Sequence, residues 1–151
     1  MVDTLQASVE VAAPPDRVWQ VVADVRRTGE WSPECMRVVP VGTVRKGSWL
    51  IGLNRRGAAR WATLSQVVRF EPEREIAWAV RTNKSIWSYR LEPSGGSTRI
   101  VESRETPRGV GRVASWFTQR FLGGKDVHDA ELEVGMAQSL AHIKSVVEAA
   151  A

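Results

Sequence analysis

Cysteine occurs once in the chain, at Cys35, so no internal disulfide can form and a reducing cytoplasm is the expected setting. Histidine occurs twice, at His128 and His142, and neither lies at metal-ligand spacing from the other or from Cys35. The expectation is no metal and no cofactor. No apolar run approaches the roughly 18 residues of a membrane span, which excludes stable membrane insertion by a helix. The opening MVDTLQASVEV has no basic segment ahead of an apolar one, so no secretion signal is expected. Glycine-rich phosphate loops between a strand and a helix are missing, as is a serine-centred nucleophile elbow.

Charge excludes a further class. The net charge is +4, but the 21 lysines and arginines are spread along the chain. The densest group, Arg55, Arg56 and Arg60 around Gly57, reads as a solvated hairpin tip. Without a continuous basic stripe or a known motif, no nucleic-acid partner is expected.

What is present begins with a long C-terminal helix. Leu132, Met136, Leu140, Ile143 and Val147 recur at steps of three and four, which puts them on one helical face over Asp126 to Ala151. Glu131, Glu133, Lys144 and Glu148 fall largely off that stripe. Asp126 is the expected N-cap, and Asp129 and Glu131 suit the positive end of the dipole. About 25 residues of helix span roughly 38 Å, and such a helix needs a broad apolar partner.

The rest of the chain supplies that partner. Residues 4–11 alternate in polarity as a first strand, and Ala13-Pro14-Pro15-Asp16 breaks it and starts a helix. A second short helix near residues 26–31 ends at Ser32-Pro33, because the residue before proline resists helical geometry. Strands then follow at 35–41, 48–54, 60–70, 75–81, 86–92 and 98–105, joined by brief turns such as Gly95-Gly96. Short strands with short turns mean an antiparallel meander. The 151 residues fit one domain of α+β class. It is a seven-stranded curved antiparallel sheet wrapped round the C-terminal helix, with two short helices after the first strand.

The stretches AAPPDRVWQVVADVRRTGEWSPE, GLNRRGAARWATLSQVVRFEPEREIAW and WSYRLEPSGGSTRIVE resemble the START-like, Bet v 1-like superfamily (SRPBCC). Within it they look like the small bacterial polyketide cyclase/dehydrase group. The resemblance covers essentially the whole chain and is most specific at APPDRVW, Trp31-Ser32-Pro33 and the Trp87-to-Thr98 hairpin. It implies the helix-grip fold and a deep apolar cavity between sheet and long helix for a lipid, polyketide or sterol-like molecule. It says less about activity, because one fold hosts many functions.

Seven tryptophans are the strongest compositional signal, at positions 19, 31, 49, 61, 78, 87 and 116. Strand parity turns Trp87, Tyr89 and Leu91 inward, since Ser88, Arg90 and Glu92 are polar. Trp49, Ile51 and Leu53 form another apolar row, as do Ile76, Trp78 and Val80. Trp61 shares a row with Thr63 and Ser65, of either facing. Indoles offer flat walls for a ligand and fill cores equally well. Empty core volume costs about 24 cal/mol per Å³. A pocket of roughly 300 Å³ would thus cost about 7 kcal/mol, near the whole stability of a small domain. The interior is therefore filled by side chains, water or a ligand.

The expected ligand-lining set is Trp31, Trp49, Trp61, Trp78, Trp87, Tyr89, Glu102, Phe117 and Met136. On the last strand Thr98, Ile100, Glu102 and Arg104 share one face, which is expected to be the inner one. Glu102 there is a candidate general acid or base, or a partner of Arg104, and Tyr89 a candidate hydrogen-bond donor. The segment from Arg108 to Gly124, flanked by glycines, is a candidate lid.

Three functions follow. The leading one is a carrier or sensor for a hydrophobic small molecule, acting as a monomer or homodimer. The second is a polyketide cyclase or dehydratase using Glu102 or Tyr89. The third is a protein- or membrane-surface module using Trp116, Phe117 and Phe121 with Arg112 and Arg120. Two or more polar groups converging in the pocket would favour the enzyme.

Overall fold

The computed structural model of the protein describes residues 2–107 and 125–150. Strand β1 (Val2–Val11) leads through helix α1 (Pro15–Val22) and a short 3-10 helix (Val25–Glu30) into β2 (Cys35–Pro40). Strands β3 (Trp49–Arg56), β4 (Ala59–Glu71), β5 (Glu75–Val80), β6 (Ile86–Ser94) and β7 (Ser97–Pro107) follow, and then helix α2 (Lys125–Ala149). The sheet order is β1-β7-β6-β5-β4-β3-β2, with antiparallel pairing throughout. This is the expected seven-stranded α+β architecture, and each expected strand is found within a few residues of its sequence-derived bounds.

Local chemistry explains the joints. Pro15 opens α1, where its missing N–H would be unpaired in any case, and Pro14 before it is extended. In the β6–β7 hairpin Gly95 (φ 56°) and Gly96 (φ 89°) both take left-handed backbone between the paired Ser94 and Ser97. A type I′ turn demands that conformation of both its central residues. The 3-10 helix lies so close to β2 that a Cβ on Gly29 would sit 2.0 Å from the Met36 carbonyl oxygen. Only glycine permits that approach.

The inner sheet face is built by alternation. In β1, Leu5, Ala7, Val9 and Val11 turn inward while Thr4, Gln6, Ser8 and Glu10 are exposed. Val11, Ile76, Leu91 and Ile100 join Val18, Val21 and Val22 of α1 in the main core. Trp19 meets Phe70 edge-on at 5.4 Å, docking α1 on the sheet.

The stripe on α2 is buried along its length: Leu132 is 9% exposed, Met136 2%, Leu140 1%, Ile143 0% and Val147 1%. The helix packs chiefly on β1, with lesser contacts to α1 and β7. Polar ties fix its register. Arg56 reaches Glu131, with Nε donating to Oε2 at 2.8 Å. Ser139 Oγ donates to the Trp31 carbonyl at 2.9 Å, and Lys144 Nζ to the Glu10 carbonyl at 2.7 Å. The Ala12 N–H donates to Glu148 Oε2 at 2.8 Å. Asp126 was the expected N-cap, but the helix already runs at Lys125, so Asp126 is a helical residue and not the cap. The expected helical piece around Val113, Trp116, Phe117 and Phe121 lies outside the described residues.

At Gly135 α2 runs close against the loop before β2. A Cβ there would fall 2.7 Å from Pro33 Cγ. In an exposed helix Gly→Ala stabilises by about 1 kcal/mol. At this position overpacking of about 1–3 kcal/mol opposes it. Gly135→Ala should therefore lower the urea midpoint, and adding Pro33→Ala should recover most of the loss. A stabilised Gly135→Ala single variant would show that the contact yields freely.

Candidate functional site

Strand β7 lies between β1 and β6, and its inner row carries the polar groups of the interior. Thr98, Ile100, Glu102, Arg104 and Thr106 are 0%, 0%, 6%, 7% and 8% exposed. Thr98 is satisfied, its Oγ1 donating to the Ala13 carbonyl at 2.8 Å, and Ile100 sits in the core. The next three differ. Glu102 Oε1, Arg104 Nε and Nη2, and Thr106 Oγ1 are buried with no hydrogen-bond partner among the described residues. Buried polar atoms are ordinarily paired, and an orphan costs about 1–3 kcal/mol. Such atoms on three successive positions of one inner row are an unusual concentration.

Register supplies the neighbours. Glu102 stands opposite Ala7 on one side and Tyr89 on the other, and Tyr89 stands opposite Ile76. Arg104 stands opposite Leu5 and Trp87, and Trp87 opposite Trp78. Trp78 and Tyr89 meet with ring centroids 6.0 Å apart. The polar row is thus flanked by aliphatic and aromatic side chains.

This setting changes the acids. Burial alone pushes the Glu102 carboxyl from 4.5 up to about 8, so at neutral pH the group is largely protonated and carries both a donor and acceptors. Burial also drives the Tyr89 hydroxyl well above its usual value, the Glu102 charge adds to that rise, and the Trp31 indole N–H opposes it. That N–H favours the phenolate without forming a regular hydrogen bond. Cys35 on the edge strand is raised by burial, and its Sγ lies 3.5 Å from the Arg37 carbonyl, the geometry of an inert thiol.

Arg104 is not the partner of Glu102. Its Nη1 lies 3.0 Å from Asp129 Oδ1 on α2, in a pair only 9% and 16% exposed. The pair ties β7 to the helix and leaves Glu102 without a cation among the described residues. Sequence reasoning placed Arg104 on the inner row but read Asp129 only as a dipole acid, and it missed Thr106. The available signal was the row itself: an inward arginine needs an acid from whatever packs over it.

Among the other expected site residues, Trp31 is buried, Trp78 and Trp87 are half-buried on the inner face, and Met136 is buried on α2. Trp61 takes the same inner row as Thr63, Ser65 and Val67, towards the β3–β4 hairpin, where Asn54 Nδ2 donates to its carbonyl at 3.4 Å. Trp49 needs correction. On β3 it is Leu50 and Gly52 that point in, which sends Trp49, Ile51 and Leu53 to the convex face. There Arg81 covers the Trp49 ring at 5.5 Å, and Ile51 and Leu53 are 39% and 38% exposed. Phe117 and the candidate lid from Arg108 to Gly124 lie outside the described residues. His142 is exposed. A recess outside the sheet is lined by Ala23, Asp24, Val25, Arg26, Gly42, Thr43 and Val44, and its polar side chains, Asp24, Arg26 and Thr43, are exposed.

A family model described as polyketide cyclase/dehydrase and lipid transport matches residues 3–148. A polyketide-cyclase-like protein of Corynebacterium glutamicum is 27% identical with a TM-score of 0.64, covering 97% of this chain and 92% of its own. The Zhui aromatase/cyclase of Streptomyces sp. R1128 is 18% identical with a TM-score of 0.73, covering 98% and 94%. The di-domain aromatase/cyclase StfQ of the steffimycin biosynthetic pathway is 15% identical with a TM-score of 0.75, covering 99% of this chain and 52% of its own. No curated protein matches. Among the described residues no helix is long and apolar enough to cross a membrane.

The Glu102 shift has a thermodynamic consequence. Its folded value near 8 exceeds its unfolded value near 4.5, so folding takes up a proton between those limits. Stability from this group is full below about pH 4.5 and is lost as pH rises through about 8, with a slope of at most about 1.4 kcal/mol per pH unit. Glu102→Gln should remove that slope and be more stable than the parent at pH 9 in urea titrations. An unchanged pH profile would mean that the carboxyl is ionised in the fold.

Proposed function

Because the chain belongs to the polyketide cyclase/dehydrase and lipid transport family, we propose that it binds a small hydrophobic molecule between the inner sheet face and α2. The observation that carries the reading is the row of orphaned polar atoms on Glu102, Arg104 and Thr106, set among Trp78, Trp87 and Tyr89. A purely structural core would leave such atoms paired or replace them with apolar groups. A ligand with an apolar body and a few oxygens satisfies them, and the indoles supply walls for the body. The protonated Glu102 carboxyl donates to a ligand carbonyl, and the site thereby prefers oxygenated ligands to plain hydrocarbons.

A second reading is catalytic, favoured by the convergence of more than one polar group, Glu102, Arg104 and Thr106 on β7 with Tyr89 opposite Glu102, on the inner face. A group titrating near neutrality is suited to acid–base work. Glu102 would hand its proton to a ligand carbonyl oxygen and take one back from the adjacent carbon, giving the enol that a cyclisation or dehydration requires. Tyr89 would stabilise the oxygen as charge develops.

Tryptophan fluorescence of the full chain should change on titration with flavonoids, fatty acids or aromatic polyketides at micromolar concentrations. Trp87→Ala should weaken the best ligand about tenfold, equivalent to about 1.4 kcal/mol. Turnover lost in Glu102→Gln with binding retained would select the enzyme, and binding with no turnover by the parent would select the carrier. Silence across the panel, by fluorescence and by calorimetry, would overturn both readings.

A further inference from the structure

The guanidinium of Arg104 is used on one side only. Nη1 bonds Asp129 Oδ1 at 3.0 Å, while Nε and Nη2 have no acceptor among the described residues. These two nitrogens share the side edge of the planar fork, and their parallel N–H bonds are spaced to meet the two oxygens of one carboxylate. The side chain is only 9% exposed. Two residues along the same face, Thr106 Oγ1 is also buried and unpartnered, and it supplies a third donor. Glu102, the acid on this row, has no cation acting on its carboxyl among the described residues and stays largely protonated at neutral pH, so it does not compete for the fork.

We propose that Arg104 and Thr106 form a carboxylate subsite, so that the molecules bound beneath α2 are amphipathic acids. The head is held at β7, and the apolar body runs along Trp87, Trp78 and Tyr89. This rests on the ligand-binding reading of the interior and adds to it the chemical class of the head group. It also assigns Asp129 a role: held on α2, it fixes the orientation of the guanidinium and leaves the side edge open to the ligand. Asp129 is then a positioning residue and Arg104 the residue that touches the ligand. Arginine is required, because lysine offers a point charge without the paired donors.

The test compares three probes with one apolar body: dodecanoic acid, methyl dodecanoate and dodecanol. Each is titrated against the full chain at neutral pH by tryptophan fluorescence. The acid should bind about tenfold or more tightly than the other two, as a charge-assisted bidentate pair requires. Arg104→Lys, which keeps the charge but loses the paired donors, should cut the acid-to-ester ratio severalfold while ester affinity stays unchanged. Thr106→Val should lower the ratio severalfold. Asp129→Asn should leave the acid preference intact or raise it, whereas a purely structural ion pair would weaken all three probes alike. Equal binding of acid, ester and alcohol, or an unchanged ratio in Arg104→Lys, would overturn the subsite while leaving the ligand pocket standing. Binding of none of these probes nor of the wider panel would remove the pocket and the subsite together.

Discussion

The architecture depends on burying one face of α2 against the inner side of β1. Leu132, Met136, Leu140, Ile143 and Val147 are nearly fully buried on that face, the last three in the main core. At roughly 1.5–3 kcal/mol for each fully buried large apolar side chain, the stripe contributes on the order of 10 kcal/mol. That is comparable with the net stability of a small domain, and as a burial sum it is an upper estimate. The polar ties to Glu10, Ala12, Trp31 and Arg56 are individually weak, and their part is to set register. They decide which residue of the helix lies over which residue of the sheet.

Register, in turn, creates the candidate site. Where α2 crosses β7, Asp129 comes within reach of Arg104, and among the described residues Glu102 acquires no cation. A carboxyl beside a cation would have stayed ionised, and this one is neutralised by burial instead. The interior therefore holds a protonated acid, a phenol and a half-used guanidinium among indoles. Replacing these with apolar residues would remove their desolvation cost. Glu102 and Arg104 share one row of β7, and Tyr89 stands opposite Glu102 on β6.

Legibility in the sequence varied with how clearly the two faces of each strand differ. On β6 one row is Trp87, Tyr89 and Leu91 and the other includes Arg90 and Glu92, so the inner face could be read. On β7 Arg99 against Ile100 favoured the right row, and Glu102 and Arg104 followed from period two, while Thr106 lay beyond the expected strand end. On β3 both rows are apolar or small: Leu50 and Gly52 on one, Trp49, Ile51 and Leu53 on the other. Alternation defines the rows but not their direction, and Trp49 was therefore placed on the wrong face. The bulkier row is the exposed one, because Gly52 must admit Thr63 Oγ1, which would stand 2.6 Å from a Cβ at that position.

The sequence by itself determined the element order, the α+β class, the family resemblance and the helix stripe. All of these are carried by local turn chemistry and short-range periodicity. Tertiary structure alone decided that Arg104 pairs with Asp129, that Glu102 has no cation among the described residues and is largely protonated at neutral pH, and that Gly135 seats Pro33. The physical reason is that charge pairing and desolvation act through space, between residues brought together only when the helix closes on the sheet.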